Sequence, residues 1–303
     1  MIARNIITNI AREVGFDLVG VVRAEELTAE RSRFEGWLAA GNHSSLSYLE
    51  RNVDKRFDGR LLVEGARSIV VCGVSYLSDY GRGYSAGCRT KIASYALNVD
   101  YHTTIKQMLA KIAERLLKVE PRLRFRAFTD SAPVAEKSLA VRAGLGWIGR
   151  NSLLINPSYG SMLHLGELFI DADVDAYDKP LAEGGCGSCR ACVGVCPNGA
   201  ILDNRTIDTR RCISCRTIER EGEASEPISL DGWIFGCDAC QSVCPHNRRA
   251  PLHRNPLFNP ILDPVVLTVE RWQTMTPDEF RAMAGSTPLM RSGLERIKSN
   301  IDK

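Results

Sequence analysis

Across 303 residues no uninterrupted apolar run approaches the eighteen or so needed to cross a membrane, which argues against a membrane-spanning protein. A secretory leader is missing too: Met1-Ile-Ala-Arg-Asn runs straight into an amphipathic pattern broken by Arg4, Arg12 and Glu13. Nor is there a surplus of one charge, since 39 Lys and Arg against 36 Asp and Glu leave a formal +3, which selects no class of partner. The expected dinucleotide signature, G-x-G-x-x-G directly after a strand, is also wanting. Gly144-Leu-Gly146-Trp-Ile-Gly149 has that spacing but follows a helical pattern. What remains is a chain of 44% hydrophobic and 25% charged residues, the balance of a globular protein with a sizeable core. Its length allows about two domains.

The chain does hold eleven cysteines, odd in number and bunched at metal-ligand spacing. With no leader, that pattern points to a reducing cytoplasm instead of a disulfide framework. Cys186-Gly-Ser-Cys189-Arg-Ala-Cys192-Val-Gly-Val-Cys196-Pro197 is a ferredoxin-type run, C-x2-C-x2-C-x3-C-P, whose fourth cysteine ligates the other cluster in two-cluster proteins. Cys237-Asp-Ala-Cys240-Gln-Ser-Val-Cys244-Pro245 answers it. Two [4Fe–4S] clusters need eight thiolates, and these runs provide seven. Arg211-Cys212-Ile-Ser-Cys215 offers two candidates for the eighth, and spacing alone does not choose. Paired zinc sites would use the C-x2-C pairs but leave both C-x3-C-P tails unexplained. Cys72, inside an apolar strand, reads as a core residue, and Cys88 sits in a loop with no assigned role.

Ile6, Ile7, Ile10, Ala11 and Val14 form a helical stripe that stops at Gly15, followed by a strand at 16–22. A helix over 28–40 is expected to turn Phe34, Trp37 and Leu38 inward, with a short helix at 44–50 and a polar, basic passage at 51–60. Residues 67–76 read as a buried strand, 101–119 as a helix, 123–128 as a strand and 133–142 as a helix with Pro in its first turn. Strands at 152–156 and 162–170 complete an alternation that argues for an α/β fold over 1–178. A ferredoxin-like domain is expected over 179–258 and a short helical tail over 259–303, with helices near 277–284 and 293–300.

Three further stretches bring a resemblance into view. Phe128-Thr-Asp130-Ser-Ala-Pro-Val-Ala-Glu-Lys137, Arg142-Ala-Gly-Leu-Gly-Trp-Ile-Gly-Arg150-Asn and Gly160-Ser-Met-Leu-His-Leu-Gly-Glu167 stand in order before Arg211-Cys-Ile-Ser and Gly236-Cys-Asp-Ala-Cys-Gln-Ser-Val-Cys-Pro245. Together they resemble the epoxyqueuosine reductases, related in architecture to reductive dehalogenases. The resemblance implies a cobalamin-binding α/β domain joined to a ferredoxin-like two-cluster domain. The implied reaction reduces epoxyqueuosine to queuosine in the anticodon loop of tRNA. Many members add helical repeats of the HEAT type, which would begin near Thr287-Pro-Leu-Met-Arg291.

Carried over by position, the family pattern assigns Cys186, Cys189, Cys192 and Cys244 to one cluster and Cys196, Cys212, Cys237 and Cys240 to the other. Cys215 is then a spare thiol. Asp130 matches the proton donor, a role that burial under a corrin would favour by raising its pKa. The plainer reading is that Asp130 caps the helix starting near Pro133. Arg56, Asp130, Leu154, Leu165, Ile213 and Asp238 fall where the family lines its cobalamin, although Leu154 and Leu165 also suit a strand core. No Asp-x-His-x-x-Gly motif surrounds any of the five histidines, so the cobalt is expected without a protein imidazole. His102 opens a helix and is given no catalytic role.

Arg205, Arg210, Arg211, Arg216, Arg220, Arg248, Arg249 and Arg254 form a basic set suited to a tRNA stem–loop, or to a solvated face. An unidentified low-potential electron donor and a monomeric, cytoplasmic enzyme complete the expectation. Two other readings are a dehalogenase-like enzyme for a small molecule and a passive electron-transfer module.

Overall fold

Gly15 closes the first helix. Its backbone turns left-handed (φ +108°), and its N–H caps the carbonyls of Ala11 and Arg12 at the end of α1 (Arg4–Val14). The computed structural model describes residues 1–219 and 227–301. After α1 come β1 (Leu18–Arg23), α2 (Thr28–Ala39), α3 (Val53–Phe57), β2 (Ser68–Ser75), β3 (Lys91–Ile92), α4 (Tyr101–Leu117), β4 (Phe125–Phe128) and α5 (Glu136–Arg142). The short pair β5 (Trp147–Ile148) and β6 (Leu154–Ile155) precedes β7 (Leu163–Ile170).

Four strands form one sheet in the order β1-β2-β7-β4, and every neighbouring pair is antiparallel. Alternation of helix and strand along the chain therefore does not produce a parallel sheet here. All eight residues of β2 are buried, which is why Ile69-Val-Val-Cys-Gly-Val74 reads as an unbroken apolar run. Apolar residues of α1 and α4, among them Ile7, Ile105, Leu109 and Ile112, pack on one face of the sheet. Phe57 of α3, Leu139 and Ala140 of α5, and Leu154 of β6 cover the other. Cys72 is fully buried in β2, as its surroundings in sequence suggest.

Four local expectations are corrected: the helix expected over 44–50 is a single 3-10 turn, Ser47–Leu49, and the one expected from Pro133 begins only at Glu136, leaving the proline outside it. Phe34, Trp37 and Leu38 of α2 are only half-buried, because the helix leans against the cysteine region, where Trp37 Nε1 donates to the carbonyl of Ile207 at 2.8 Å. The basic passage at 51–60 is α3 followed by a turn of 3-10 helix, Gly59–Leu61. Only Val53 and Phe57 mark its apolar side, too few for a periodicity to register.

The glycine-punctuated segment builds a tight hairpin. Val71 of β2 faces Glu167 of β7 across the four-stranded sheet, and Trp147 and Ile148 pair with Ile155 and Leu154 in a separate two-stranded one. A methyl group on Gly146 would stand 2.2 Å from the carbonyl oxygen of Ile155. We expect Gly146→Ala to cost about 1–3 kcal/mol of stability, measured as a lower denaturation midpoint with unchanged denaturant dependence.

The cysteine region contributes α6 (Ala191–Val195), α7 (Ile213–Ile218), β8 (Trp233–Phe235), α8 (Ala239–Ser242) and α9 (Pro245–Arg249). β8 pairs in parallel with β3, joining this region to the segment before α4. The tail holds α10 (Val269–Thr274), α11 (Pro277–Ala284) and α12 (Leu294–Ile301). Thr276 and Glu279 form a reciprocal capping box at the start of α11. Trp272, Phe280, Leu289, Ile297 and Ile301 pack with Ile92, Leu97, Ile234 and Phe235 in a core of their own. α10 escaped the sequence reading, although Trp272 is its fully buried anchor. Among the described residues, no helix is long and apolar enough to cross a membrane.

Candidate active site

Asp130 stands in the loop between β4 and α5 with φ +54°, a left-handed conformation that few non-glycine residues adopt. It does not cap α5. The N-cap position is Ala135, without a side-chain cap, and Glu136 Oε1 instead accepts a hydrogen bond from the Asp130 N–H. The helix thus reaches back to hold the loop.

The side chain of Asp130 is held from α4. Its Oδ2 accepts from the Tyr101 hydroxyl at 2.7 Å and lies 3.0 Å from His102 Nε2. Asp100, the N-cap of α4, accepts from the His102 N–H at 2.9 Å, and the same oxygen sits 2.7 Å from His102 Nδ1. The triplet Asp100-Tyr101-His102 therefore brackets Asp130 from one helix end. Hydrogen bonds to Asp100 and then Asp130 push the His102 pKa up to about 9, so both ring nitrogens carry protons near neutrality. Burial alone would raise the Asp130 pKa, but the bonds from His102 and Tyr101 outweigh it and hold the carboxyl below its ordinary value. That reverses the expected direction. The Asp130 side chain keeps 47% of its surface accessible.

Behind it lie two more acids. Glu167 of β7 is fully buried, and burial followed by the proximity of Glu136 pushes its pKa well up. Burial and then the charge of Asp130 push Glu136 up to about 7. Both Glu167 oxygens are buried without a hydrogen-bond partner, which is why burial pushes this carboxyl toward its neutral form. Lys137 donates to the Ser152 carbonyl at 2.7 Å, and its ammonium pKa is depressed by burial. His164 stacks on Tyr101 at 4.4 Å with planes 13° apart, and burial drives its pKa down to about 3, leaving it neutral. At the rim, Arg291 from the tail pairs with Glu219 at 2.9 Å, and Tyr48 is pushed up to about 12 by burial and then by Glu219. None of these residues was singled out from sequence. Glu136, Lys137 and Glu167 stand inside the motifs quoted above, so their signal was present but unweighted.

The remaining expected cofactor contacts are scattered in character. Arg56 is half-buried, with its guanidinium 5.5 Å from the Phe34 ring centroid and no hydrogen-bond partner for its buried Nε. Leu165 is half-buried, whereas Leu154, Ile213 and Asp238 are each only 3% exposed. Leu154 belongs to the core beneath α5, and Ile213 packs with Leu230 and Trp233. Asp238 accepts from the Ser94 N–H at 2.7 Å and from Gln241 Nε2 at 2.9 Å.

The cysteines fall into two groups. Cys186, Cys189, Cys192 and Cys244 line one cavity together with Arg150 and His246. Arg150 ties that loop down by donating to the carbonyls of Cys189 and Gly187, both at 2.9 Å. Cys196, Cys212, Cys237 and Cys240 form the second group, close enough for Cys237 to feel charge on both Cys212 and Cys196.

Of the basic set, Arg205, Arg210, Arg211, Arg248, Arg249 and Arg254 are exposed, Arg210 pairs with Asp208 at 2.9 Å, and Arg216 is half-buried. Arg220 lies outside the described residues.

Comparison with known proteins places this arrangement. Residues 185–247 match the family model described as "4Fe-4S double cluster binding domain", and residues 56–131 match "Epoxyqueuosine reductase QueG, DUF1730". An epoxyqueuosine reductase of Cellulophaga algicola is 38% identical over 294 residues, 96% of this chain and 94% of its own length. The chain belongs to the epoxyqueuosine reductase family. An epoxyqueuosine reductase of Cyclobacterium marinum is 39% identical over 98% of this chain and 94% of its own. One solved epoxyqueuosine reductase, crystallised with an epoxyqueuosine-modified tRNA-Tyr stem loop, superposes with a TM-score of 0.85 at 25% identity. That match covers 98% of this chain and 79% of the other. The family makes the chain an oxidoreductase with a two-cluster [4Fe–4S] domain.

Proposed function

We propose that this enzyme reduces epoxyqueuosine to queuosine within a tRNA anticodon loop, the last step in making that base, in the cytoplasm and as a monomer. One observation carries the reading: a single chain combines eight thiols in two groups of four with an accessible carboxylate held by Tyr101 and His102. Cys186, Cys189, Cys192 and Cys244 hold one cluster, and Cys196, Cys212, Cys237 and Cys240 the other. A low-potential donor feeds them.

The residues present suit a corrinoid on chemical grounds. The buried Arg56 Nε has no partner within the protein, and Leu165 is half-buried, leaving polar and apolar groups for a ligand to cover. Arg56, Leu165 and Asp130 would meet the cofactor directly, while Leu154, Ile213 and Asp238 would back it. When bound, cobalamin supplies the two-electron reducing power for opening the epoxide. The protein's own part is to orient the base, exclude water and hand a proton to the leaving oxygen through Asp130 Oδ2. The exposed arginines at 205, 211, 248, 249 and 254 hold the stem–loop by its phosphates.

Anaerobic reconstitution with cobalamin and a low-potential reductant tests the reading, with epoxyqueuosine supplied in tRNA and as the free nucleoside. Conversion in tRNA is expected, with stem–loop affinity falling about tenfold or more between 50 and 200 mM salt. Full clusters and bound cobalamin without conversion would overturn it. Full clusters with no affinity for cobalamin would favour an electron-transfer module.

A further inference from the structure

Reduction of an epoxide to an alkene breaks both C–O bonds, takes up two electrons and two protons and releases water. The clusters and corrinoid account for the electrons. The protons need a source, because Tyr101 and His102 both direct donors at Asp130 Oδ2 and so favour its carboxylate form. A carboxylate in that position must be loaded before it can give.

We propose that His102 is the proton source for Asp130, passing the Nε2 proton to Oδ2 across the 3.0 Å hydrogen bond each time the carboxylate discharges to substrate oxygen. This rests on the reading of Asp130 as proton donor. After transfer, the neutral ring keeps its Nδ1–H on Asp100, so Nε2 is the position that refills. The His102 side chain is 27% exposed, enough to take the next proton from water, and two such deliveries balance the reaction.

The surroundings keep this proton in store. Asp100 and Asp130 flank the imidazole on both nitrogens and stabilise its charged form, so the proton stays on His102 until a strongly basic alkoxide draws one from Asp130. Tyr101 stacks on its face at 4.2 Å, and His164 on the far side of Tyr101 stays neutral, so no second cation competes there. Around Asp130 the charges are mixed: Arg291, Lys137 and His102 oppose Glu136 and Glu167. A proton on Asp130 removes one negative neighbour of Glu136 and Glu167, which offsets part of the cost of taking it from His102. His102 acts through Asp130 and is a positioning and supply residue.

The test uses the reconstituted holoenzyme with excess reductant, so that electron supply does not limit, and reads single-turnover rate against pH. In the parent protein the rate should hold to about pH 9 and then fall, following the His102 imidazole titration seen by NMR of labelled histidine. Asp100→Asn should move both the NMR midpoint and the alkaline fall down together, by at least one pH unit. His102→Gln should slow the step about 10²-fold and abolish that fall, with iron content unchanged. A His102→Gln enzyme with the parental rate and profile would overturn the inference, as would an Asp100→Asn enzyme whose NMR midpoint shifts while the rate profile stays put. If His102→Gln fails to fold, the Asp100→Asn arm decides. Asp130→Asn separates the two readings: full activity there removes the donor role itself, whereas inactivity beside an unaffected His102→Gln removes only the supply role.

Discussion

Asp130→Asn is expected to slow single-turnover reduction by about 10²–10⁴-fold, with iron content and corrinoid affinity close to those of the parent. Asparagine is the right replacement on conformational grounds. At φ +54° it shares aspartate's tolerance of the left-handed region, whereas alanine there costs about 1 kcal/mol or more. Its side-chain oxygen can still accept from Tyr101 or His102, so the loop stays in place. What it cannot do is carry a proton to an alkoxide. Near-parental turnover in a folded Asp130→Asn enzyme would remove the role assigned to this residue.

The same substitution has a pH signature. His102 has a folded pKa raised from 6.5 to about 9, so its contribution to stability is full below pH 6.5 and disappears as pH rises through 9. Asp130 is depressed from 3.8, so its contribution holds above that value and is lost as pH falls further. Between these limits both groups stabilise the bracket. Without the Asp130 charge the upper limit moves down, and the stability curve of the Asn variant should bend at lower pH on its alkaline side.

Cys212→Ser is expected to remove at least half of the bound iron, from about eight to about four atoms per chain or fewer, and with it turnover. Cys215→Ser should leave the iron in place. The two thiols are one helical turn apart, but Cys212 precedes α7 beside Cys196, Cys237 and Cys240, whereas the charge of Cys215 is felt at Tyr48. Iron and sulfide analysis of the two variants decides between them. Retained iron in Cys212→Ser with loss in Cys215→Ser would reverse the assignment.

How far the residues announce this site depends on how local its determinants are. α1 was legible because Ile7, Ile10 and Ala11 repeat on one side and Gly15 ends them; β2 because both its faces are buried. Seven of the thiols were legible from spacing within single turns. The eighth was not, since Cys212 and Cys215 differ only in which way one short helix points them, and only family resemblance chose. Asp130 also stood out by resemblance, yet its protonation could not be read there. That depends on His102, 28 positions away, whose approach is set by α4 crossing toward the end of β4. Burial and hydrogen bonding push a carboxyl in opposite directions, and a linear sequence does not say which partners arrive. Arg291 was hidden for the same reason: a tail residue reaches the rim only because the tail packs back.

That packing has a consequence for the order of events during synthesis. Ser292 Oγ donates to the carbonyl of Thr217, Arg296 to that of Arg216 and Asn300 to that of Ile234, at 3.1, 2.7 and 3.0 Å. These are the segments that lead out of Cys212 and into Cys237. Every cysteine is translated before the residues that brace them, so a nascent chain presents a complete set of thiols on unfinished supports. Iron delivered at that moment would meet pliable loops; delivered after the ribosome has passed well beyond Cys244, it meets loops already clamped. The supports of the cysteine loops are therefore complete only once the tail has packed back.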